Sequence, residues 1–220
     1  VANKVGVVIE VNAETDFVAK NDSFQTFVKE VADVVMAQNP ADVEALKACT
    51  YPGTDRTVSD VTADKVLAIG ENIQIRRFVR YAEGVNVPYI HMGGKIGVLV
   101  NMEVEGIDAA QVTELGKDVA MQIAAASPLA VSAEGLNPEV VEHEREVYRQ
   151  KAREEGKPEQ IIEKIAEGAV KKFCKDVCLL DQLYIRDDKM TISDLIKGAA
   201  KTIGEPITVV RFVRIQLGAE

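Results

Sequence analysis

Two segments of this 220-residue sequence occur twice, and the spacing of the copies limits the fold more than any other feature. The segment "KVGVVI" at 4–9 returns as "KIGVLV" at 95–100, an offset of 91 residues from Lys4 to Lys95. Both copies are β-branched apolar runs, which favour a strand over a helix. Each is followed by a polar stretch and then by apolar residues at three- and four-residue steps, as in a helix with one buried face. The sequence therefore predicts a strand–helix unit that occurs twice.

The two predicted helices have recognisable ends. Asn21, Asp22 and Ser23 offer N-caps for the first helix, and the second ends before Pro128. The apolar positions are Phe24, Phe27, Val28, Val31 and Val35 in the first copy and Val112, Leu115, Val119 and Ile123 in the second.

The second repeated segment is a predicted strand with a break in its alternation. The segment "GENIQIRRFVR" at 70–80 matches "GEPITVVRFVR" at 204–214 with seven identical residues in register, an offset of 134 between the first glycines. Ile73, Ile75 and Phe78 follow the two-residue period of an amphipathic strand, with one phase shift that indicates a β-bulge.

The two offsets, 134 and 91, differ by 43 residues, so the second copy contains an insertion of about that length. Pro138 after Asn137 is typical of a helix start. The "GKP" at 156–158 interrupts the helical pattern, and a continuous apolar stripe follows it. The insertion is predicted to be an antiparallel helical hairpin, a coiled-coil-like arm, over about 138–180.

These patterns predict an α+β fold of two similar subdomains, each an antiparallel sheet packed with helices. The predicted boundaries are 1–88 for the first subdomain and 89–220 for the second, which carries the arm. A composition of 47% hydrophobic and 28% charged residues is that of an ordinary globular protein.

Charge and cysteine content narrow the class of protein. The net charge of −9, from 35 acidic and 26 basic residues, argues against direct nucleic-acid binding. Three cysteines do not form a disulfide framework, so a reducing compartment is predicted. No apolar run approaches the ~20 residues that a membrane span needs, and a signal peptide before the first strand is not expected. The expected location is the cytoplasm.

No catalytic motif is present. The sequence lacks a P-loop, a GxGxxG after a strand, a GxSxG and an HExxH. Its two histidines, His91 and His143, are far apart, which disfavours acid–base and metal chemistry. We therefore expect no catalytic residues and no cofactor, and we do not expect an enzyme.

Two groups of residues are candidate metal ligands. Cys174 and Cys178 share a helix face, but further ligands are lacking nearby, and buried packing is the preferred interpretation. Glu14, Asp16 and Asp22 lack the alternating ligands and central glycine of a calcium loop, and Asp22 is also a candidate helix cap. No metal site is predicted.

Phe17 is an isolated aromatic residue in a polar stretch, and two interpretations stay open on composition alone. It could pack back onto the helix start as a hydrophobic staple, or it could anchor a partner protein. The second copy has "EVEGIDAAQ" at 103–111 where the first has "ETDFVAKND" at 14–22, without the aromatic residue. A ring needed only for packing would be expected in both copies, which favours the partner-facing interpretation.

Several segments resemble the bacterial elongation factor Ts family, the nucleotide-exchange factors of elongation factor Tu. The region "EVNAETDFVAKNDSFQTF" at 10–27 resembles the family's signature, and "TDFVAKN" at 15–21 is its most specific part. The segments "IGENIQIRRF" at 69–78 and "HMGGKIGVLV" at 91–100 follow in the expected order, and "GKPEQIIEKIAEG" at 156–168 fits the family's arm. The family normally has a small helical module before the core, and this sequence starts at the core's first strand.

The resemblance implies a function and a contact surface. Phe17 would wedge between helices of elongation factor Tu, with Asp16 near the magnesium side of its nucleotide site. The residues implied in partner binding are Thr15, Asp16, Phe17, Val18, Ile69, Gly70 and His91. The implied partner is elongation factor Tu, GDP-bound or nucleotide-free, with no direct contact to nucleic acid or membrane.

Two other functions are alternatives. The arm at 138–180 could make the chain a structural dimerisation module, and a homodimer is compatible with nucleotide exchange. A metal-dependent phosphoryl-transfer domain using Glu14, Asp16 and Asp22 is disfavoured, because the sequence has no phosphate-binding loop.

Overall fold

The computed structural model describes residues 4–106 and 108–219, which form helices and antiparallel strands and confirm the predicted α+β class. The strands are β1 (Gly6–Asn12), β2 (Gln74–Tyr81), β3 (Val85–His91), β4 (Ile96–Val104), β5 (Leu183–Tyr184), β6 (Asp187–Thr191) and β7 (Ile207–Gln216). The helices are α1 (Asp16–Ala19), α2 (Asp22–Gln38), α3 (Val43–Ala48), α4 (Val58–Ile69), α5 (Thr113–Ala126), α6 (Pro138–Glu154), α7 (Glu159–Val177) and α8 (Ile192–Ile203).

The strands form one sheet in each half of the chain and a short additional ribbon. β1 pairs with β2, the second sheet has the order β3–β4–β7, and β5 pairs with β6. The predicted subdomain boundary at residue 88 falls within β3, which pairs with β4 in the second sheet. The division at that residue stays a prediction.

The internal repeat is present in the pairing of the strands. Gly6 lies opposite Tyr81, and Gly97 lies opposite Ile215, which are the equivalent positions of the second copy. In both sheets the register shifts after the fifth pair of this run, so the same bulge occurs twice. The phase shift in the sequence is therefore confirmed as a β-bulge.

The helices before β2 and β7 also match in detail. Each starts with a threonine–aspartate capping box, in which the two side chains bond each other's backbone N–H, and each ends at a left-handed glycine. The residues are Thr57, Asp60 and Gly70 in α4 and Thr191, Asp194 and Gly204 in α8.

Equivalent arginines join the sheets to the long helices. The guanidinium of Arg80 donates to the carbonyl of Met36 near the end of α2, at 3.2 Å. Arg214 donates to the carbonyl of Ala124 near the end of α5, at 3.3 Å. Both carbonyls belong to the last turn of a helix, where intrahelical partners are missing. The repeat therefore includes side-chain contacts as well as secondary structure.

The predicted ends of α2 and α5 are largely confirmed. Asn21 is the N-cap of α2 and its side chain accepts from Ser23 N, whereas Asp22 is the first helical residue. The interpretation of Asp22 as the cap is therefore wrong, although its carboxylate lies in the first turn, where the helix dipole favours it. α5 ends at Ala126, two residues before Pro128, as expected.

The two sheets pack against each other through equivalent residues. The apolar cluster between them consists of Val8 and Leu99, Val79 and Val213, and Tyr81 and Ile215, each pair related by the repeat. A Cβ on Gly6 would lie 2.7 Å from Leu99 Cδ1, and a Cβ on Gly97 would lie 2.7 Å from Val8 Cγ2. The contacts between the halves are thus reciprocal.

The predicted arm is an antiparallel pair of helices, α6 and α7, joined by a turn at Gly156. Arg149 bonds both carboxylate oxygens of Glu163 at 2.8 Å, and this bidentate pair links the two helices. At the base, Ala130 pairs with Cys178, so the two ends of the insertion lie side by side. In the described ranges, none of the helices is long and apolar enough to cross a bilayer.

Candidate functional site

The region around Phe17 is a single helical turn, which we call the Phe17 turn (Thr15–Ala19). Thr15 caps it, because its hydroxyl accepts from Val18 N at 3.3 Å. Val18 is half-buried and packs against the core of the first half, whereas Phe17 is 88% exposed. The interpretation of Phe17 as a core staple is therefore wrong.

The Phe17 turn lies where the first copy of the repeat is longer. Equivalent strand residues such as Gly6 and Gly97 are 91 apart, but the helix C-caps Asn39 and Ser127 are only 88 apart. The first copy therefore has three additional residues between its strand and the C-terminal end of its helix. In the second copy a shorter 3-10 turn, Ala109–Gln111, precedes the helix in place of the Phe17 turn.

A carboxylate from the end of α4 holds the start of the Phe17 turn. Glu71 Oε2 accepts from Glu14 N at 3.1 Å and from Thr15 N at 3.0 Å, and Glu71 Oε1 accepts from the Thr15 hydroxyl at 2.6 Å. In return, Asn72 N donates to Glu14 Oε1 at 3.2 Å. These bonds place Gly70 beside the turn, although it is 55 residues from Thr15 in sequence.

Gly70 itself is the C-cap of α4, with a φ of 79° in the left-handed region. Among the described residues, nothing lies within 4 Å of where its Cβ would be. Glycine is therefore favoured here by backbone conformation and not by lack of space. Ile69, the last residue of α4, is half-buried against the same core as Val18.

The turn between β3 and β4 approaches the Phe17 turn from the second half. Lys95 Nζ lies 3.6 Å from Asp16 Oδ2, and both side chains are more than half exposed. His91, at the end of β3, shares a 3.1 Å hydrogen bond with the Tyr89 hydroxyl through Nδ1. Met92 has a left-handed φ of 51° and is exposed.

Between these two turns lies an open cleft of about 720 Å³. Its walls include Asp16 and Lys20 on one side and Met92, Gly94 and Lys95 on the other. Of the predicted contact residues, Thr15 and Asp16 line this cleft.

Comparison with known proteins identifies the family. The family model described as "Elongation factor TS" matches residues 14–219. The chain belongs to the elongation factor Ts family. Members of this family are translation elongation factors, and the predicted role in protein biosynthesis is confirmed at that level.

Curated elongation factor Ts proteins match along nearly the whole chain. The chain is 50% identical to elongation factor Ts of Syntrophotalea carbinolica over 97% of this chain and 71% of that protein. It is 49% identical to the one of Trichlorobacter lovleyi, over 97% and 70%. It is 44% identical to the one of Clostridium perfringens strain SM101, over 98% and 71%.

Two polar residues near the Phe17 turn were not predicted from the sequence. Glu71 and Lys95 make the contacts that connect the Phe17 turn to Gly70 and to the β3–β4 turn. A signal for Glu71 exists, because a Gly-Glu pair occurs in both copies of the second repeated segment. Its contact with residue 15 could not be inferred without the antiparallel pairing of β1 and β2.

The acidic candidate metal ligands have other partners in the structure. Glu14 accepts from Asn72 N, and Asp16 faces Lys95. Within 4–106 and 108–219, His, Cys, Asp and Glu side chains do not cluster in threes that could hold a metal ion. Cys178 is buried, and burial raises the pKa of its thiol to about 11, which disfavours the thiolate that metal binding requires.

Proposed function

We propose that this protein promotes GDP release from elongation factor Tu, so that GTP can bind. The observation that carries the proposal is the exposure of Phe17 on a turn whose start is held by Glu71. A large apolar ring that is 88% exposed is costly in water and gains free energy when a partner buries it.

The ring acts as a wedge between helices of the partner. A GTPase holds its nucleotide through the amides of its P-loop and a magnesium ion that bridges phosphate oxygens. Packed helices have discrete arrangements and do not deform smoothly, so an inserted ring shifts them as units. The shifted helices weaken the magnesium position and with it the hold on the phosphates.

Asp16 adds an electrostatic contribution beside the wedge. Its side chain is 65% exposed and lies next to Phe17, so it accompanies the ring into the partner. A carboxylate near bound phosphates is repulsive, and the repulsion grows where water is excluded. In the free protein Lys95 lies 3.6 Å from this carboxylate and partly offsets its charge.

The other residues of the proposed contact surface flank or hold the Phe17 turn. Ile69 and Gly70 adjoin it through Glu71, and His91 belongs to the β3–β4 turn that carries Lys95. Thr15 caps the turn and Val18 packs inward, so both act on the partner mainly by holding Phe17 in place.

Thermodynamic linkage sets the order of events. A factor that weakens nucleotide binding is itself bound more weakly in the presence of nucleotide, by the same ratio. The factor therefore binds GDP-loaded and nucleotide-free elongation factor Tu, and incoming nucleotide releases it. No covalent bond is made or broken, so the protein is not an enzyme in that sense. It acts in the cytoplasm, where translation takes place.

The test uses elongation factor Tu preloaded with fluorescent GDP. With excess unlabelled GDP present, addition of this chain is expected to raise the release rate in proportion to its concentration until saturation. An unchanged release rate at micromolar chain would contradict the proposal. Conversion of GTP by the chain alone would support the phosphoryl-transfer alternative.

A further inference from the structure

We propose that Glu71 is a positioning residue whose carboxylate holds the Phe17 turn in the conformation that presents the aromatic ring. This inference rests on the proposed function of the same site. It assigns a role to a residue at the end of α4 that does not itself need to touch the partner.

One carboxylate collects three donors from the turn. Glu71 accepts from Glu14 N, from Thr15 N and from the Thr15 hydroxyl, the last at 2.6 Å. Hydrogen bonds to a carboxylate are shorter and stronger than those between neutral groups. The bond from Asn72 N to Glu14 Oε1 closes the contact from the other direction. The loop after β1 and the loop before β2 are therefore joined at four points.

The contact extends into the turn through the Thr15 hydroxyl. Because this hydroxyl donates its proton to Glu71, a lone pair is left to accept from Val18 N, 3.3 Å away. A helix of four residues is too short to form by itself, so its conformation depends on such external bonds. With the turn formed, Val18 faces the core and Phe17 faces solvent.

This arrangement gives Gly70 a structural role. The left-handed conformation of Gly70 ends α4 and turns the chain so that Glu71 follows next to the Phe17 turn. A side chain at Gly70 would strain that conformation and displace Glu71. A variant at Gly70 is then expected to promote GDP release less well, even if this residue makes no direct contact with the partner.

The second copy of the repeat supplies a matched control. Glu205 follows the left-handed Gly204 as Glu71 follows Gly70. Its Oε1 lies 3.9 Å from where a Cβ on Gly106 would be, so it also approaches the strand-to-helix loop of its own half. That loop lacks an aromatic residue equivalent to Phe17. A variant at Glu205 therefore reproduces the change without affecting the Phe17 turn.

The experiment compares Glu71→Gln and Glu71→Ala with Glu205→Gln in the full chain. Hydrogen–deuterium exchange of the amides in 14–18 reports on the turn, and release of fluorescent GDP from elongation factor Tu reports on function. For Glu71→Ala we expect amide exchange in 14–18 to become at least about tenfold faster, the effect of losing one charge-assisted hydrogen bond. We expect GDP release at subsaturating factor to slow by a similar ratio. Glu71→Gln should show a smaller change of the same sign, and Glu205→Gln should change neither measurement.

The side chain of Thr15 provides a second pair of variants. Thr15→Ser keeps the hydroxyl that connects Glu71 to Val18 N, whereas Thr15→Val removes it at nearly constant volume. We expect Thr15→Ser to behave like the parent chain and Thr15→Val to behave like Glu71→Ala. Thermal unfolding of every variant shows whether the fold is retained.

The outcomes separate this inference from the proposed function. Unchanged amide exchange in Glu71→Ala would overturn the positioning role, as would faster amide exchange with an unchanged rate of GDP release. If the parent chain does not promote release, the proposed function fails, and amide exchange still decides whether Glu71 holds the turn.

Discussion

Phe17 and Val18 are neighbours in the sequence with opposite environments, solvent for the ring and the core for the valine. The difference arises because a single helical turn separates successive side chains by about 100°, a consequence of 3.6 residues per turn. A change at Phe17 should therefore affect partner binding and leave the fold intact. A change at Val18 would affect both.

For Phe17→Ala we expect GDP release from elongation factor Tu to slow by at least about tenfold, because a buried aromatic anchor contributes about 2 kcal/mol or more. The free energy of unfolding should change by less than about 0.5 kcal/mol, since surface substitutions rarely cost more. Stopped-flow fluorescence and urea unfolding measure the two quantities.

Leu183→Ala is the control for that variant. Leu183 is also exposed, at 57%, but it lies in the short β5–β6 ribbon, outside the proposed contact surface. It should leave GDP release unchanged. If Phe17→Ala lowered stability as much as it lowered release, the ring would have a packing role after all.

The sequence predicted the importance of Phe17 but not how the residue is held. The absence of an aromatic residue from the second copy and the family signature both pointed to it. Glu71 and Lys95 were missed because their partners are 56 and 79 residues away, at Thr15 and Asp16. Such contacts depend on strand pairing and on the packing of the two halves, which local patterns do not contain.

At the scale of the element, the two capping boxes are the clearest sign that local sequence determines local structure. In α8 the Thr191 backbone N–H and hydroxyl donate to Asp194 and hold the pKa of its carboxyl below its ordinary value. In α4 the same kind of hydrogen bonds from Thr57 lower the pKa of the Asp60 carboxyl. The threonine hydroxyl satisfies an N–H that the helix cannot.

For Thr191→Ala we expect the free energy of unfolding to fall by about 1 kcal/mol, the usual cost of losing an N-cap. Thr57→Ala should behave similarly, because the geometry at α4 is the same. Chemical denaturation at neutral pH measures both. If only one of the two variants lost unfolding free energy, the two caps would not contribute equally to stability.

Asp194→Asn tests the pH dependence. Because the pKa of Asp194 is lowered by folding, its contribution to stability is present above the ordinary carboxyl pKa of 3.8 and is lost as the pH falls. The melting temperature of Asp194→Asn should therefore lie below that of the parent chain at pH 7, and the difference should shrink toward pH 3. A difference that stays constant with pH would exclude the carboxylate as its source.

Other elements were beyond sequence reasoning for physical reasons. β3 contains Pro88, which has no backbone N–H to donate to a neighbouring strand. The strand lies at the edge of its sheet, where a missing donor is tolerated. α1 has four residues, too few for a periodic pattern. The strands that were predicted, β1, β2, β4 and β7, all belong to the repeat.

For the whole molecule, the close approach of the two sheets at Gly6 and Gly97 is the feature that sets their separation. At Gly97 an added methyl group would overlap Val8, which is buried between the sheets. The residue has no positive φ, so space alone requires glycine there.

For Gly97→Ala we expect a loss of about 1–3 kcal/mol of unfolding free energy, the usual cost of an overpacked core. Val8→Ala also destabilises by leaving a cavity, but the double variant should lose less than the sum, because each change relieves the other. Additive losses would contradict a direct contact between residues 8 and 97.

Gly198→Ala is the control for Gly97→Ala. In the described parts of the chain nothing lies within 4 Å of its Cβ position in α8, so alanine at 198 should stabilise the fold by about 0.5–1 kcal/mol.

The arm should be removable without loss of the core. Its two ends are already joined at Ala130 and Cys178, so replacing 146–166 with a short Gly/Ser linker keeps the base intact. We expect the core to lose less than about 1 kcal/mol, because the ion pairs removed are at the surface. GDP release should persist. If the arm dimerises the chain, analytical ultracentrifugation will show that the full chain associates and the shortened chain does not. If the shortened chain keeps its folded core but no longer promotes GDP release, the arm contacts the partner instead.

The reciprocal contacts between the halves, Gly6 with Leu99 and Gly97 with Val8, are those of a symmetric dimer, where residue i meets j and j meets i. The fold thus has the contact pattern of two subunits within one polypeptide. A homodimer must carry every alteration on both subunits, whereas a fused pair can alter one and conserve the other. Here the first copy carries the turn bearing Phe17, and the second carries the arm. Covalent linkage is thus what allows this molecule to present one wedge and one arm instead of two of each.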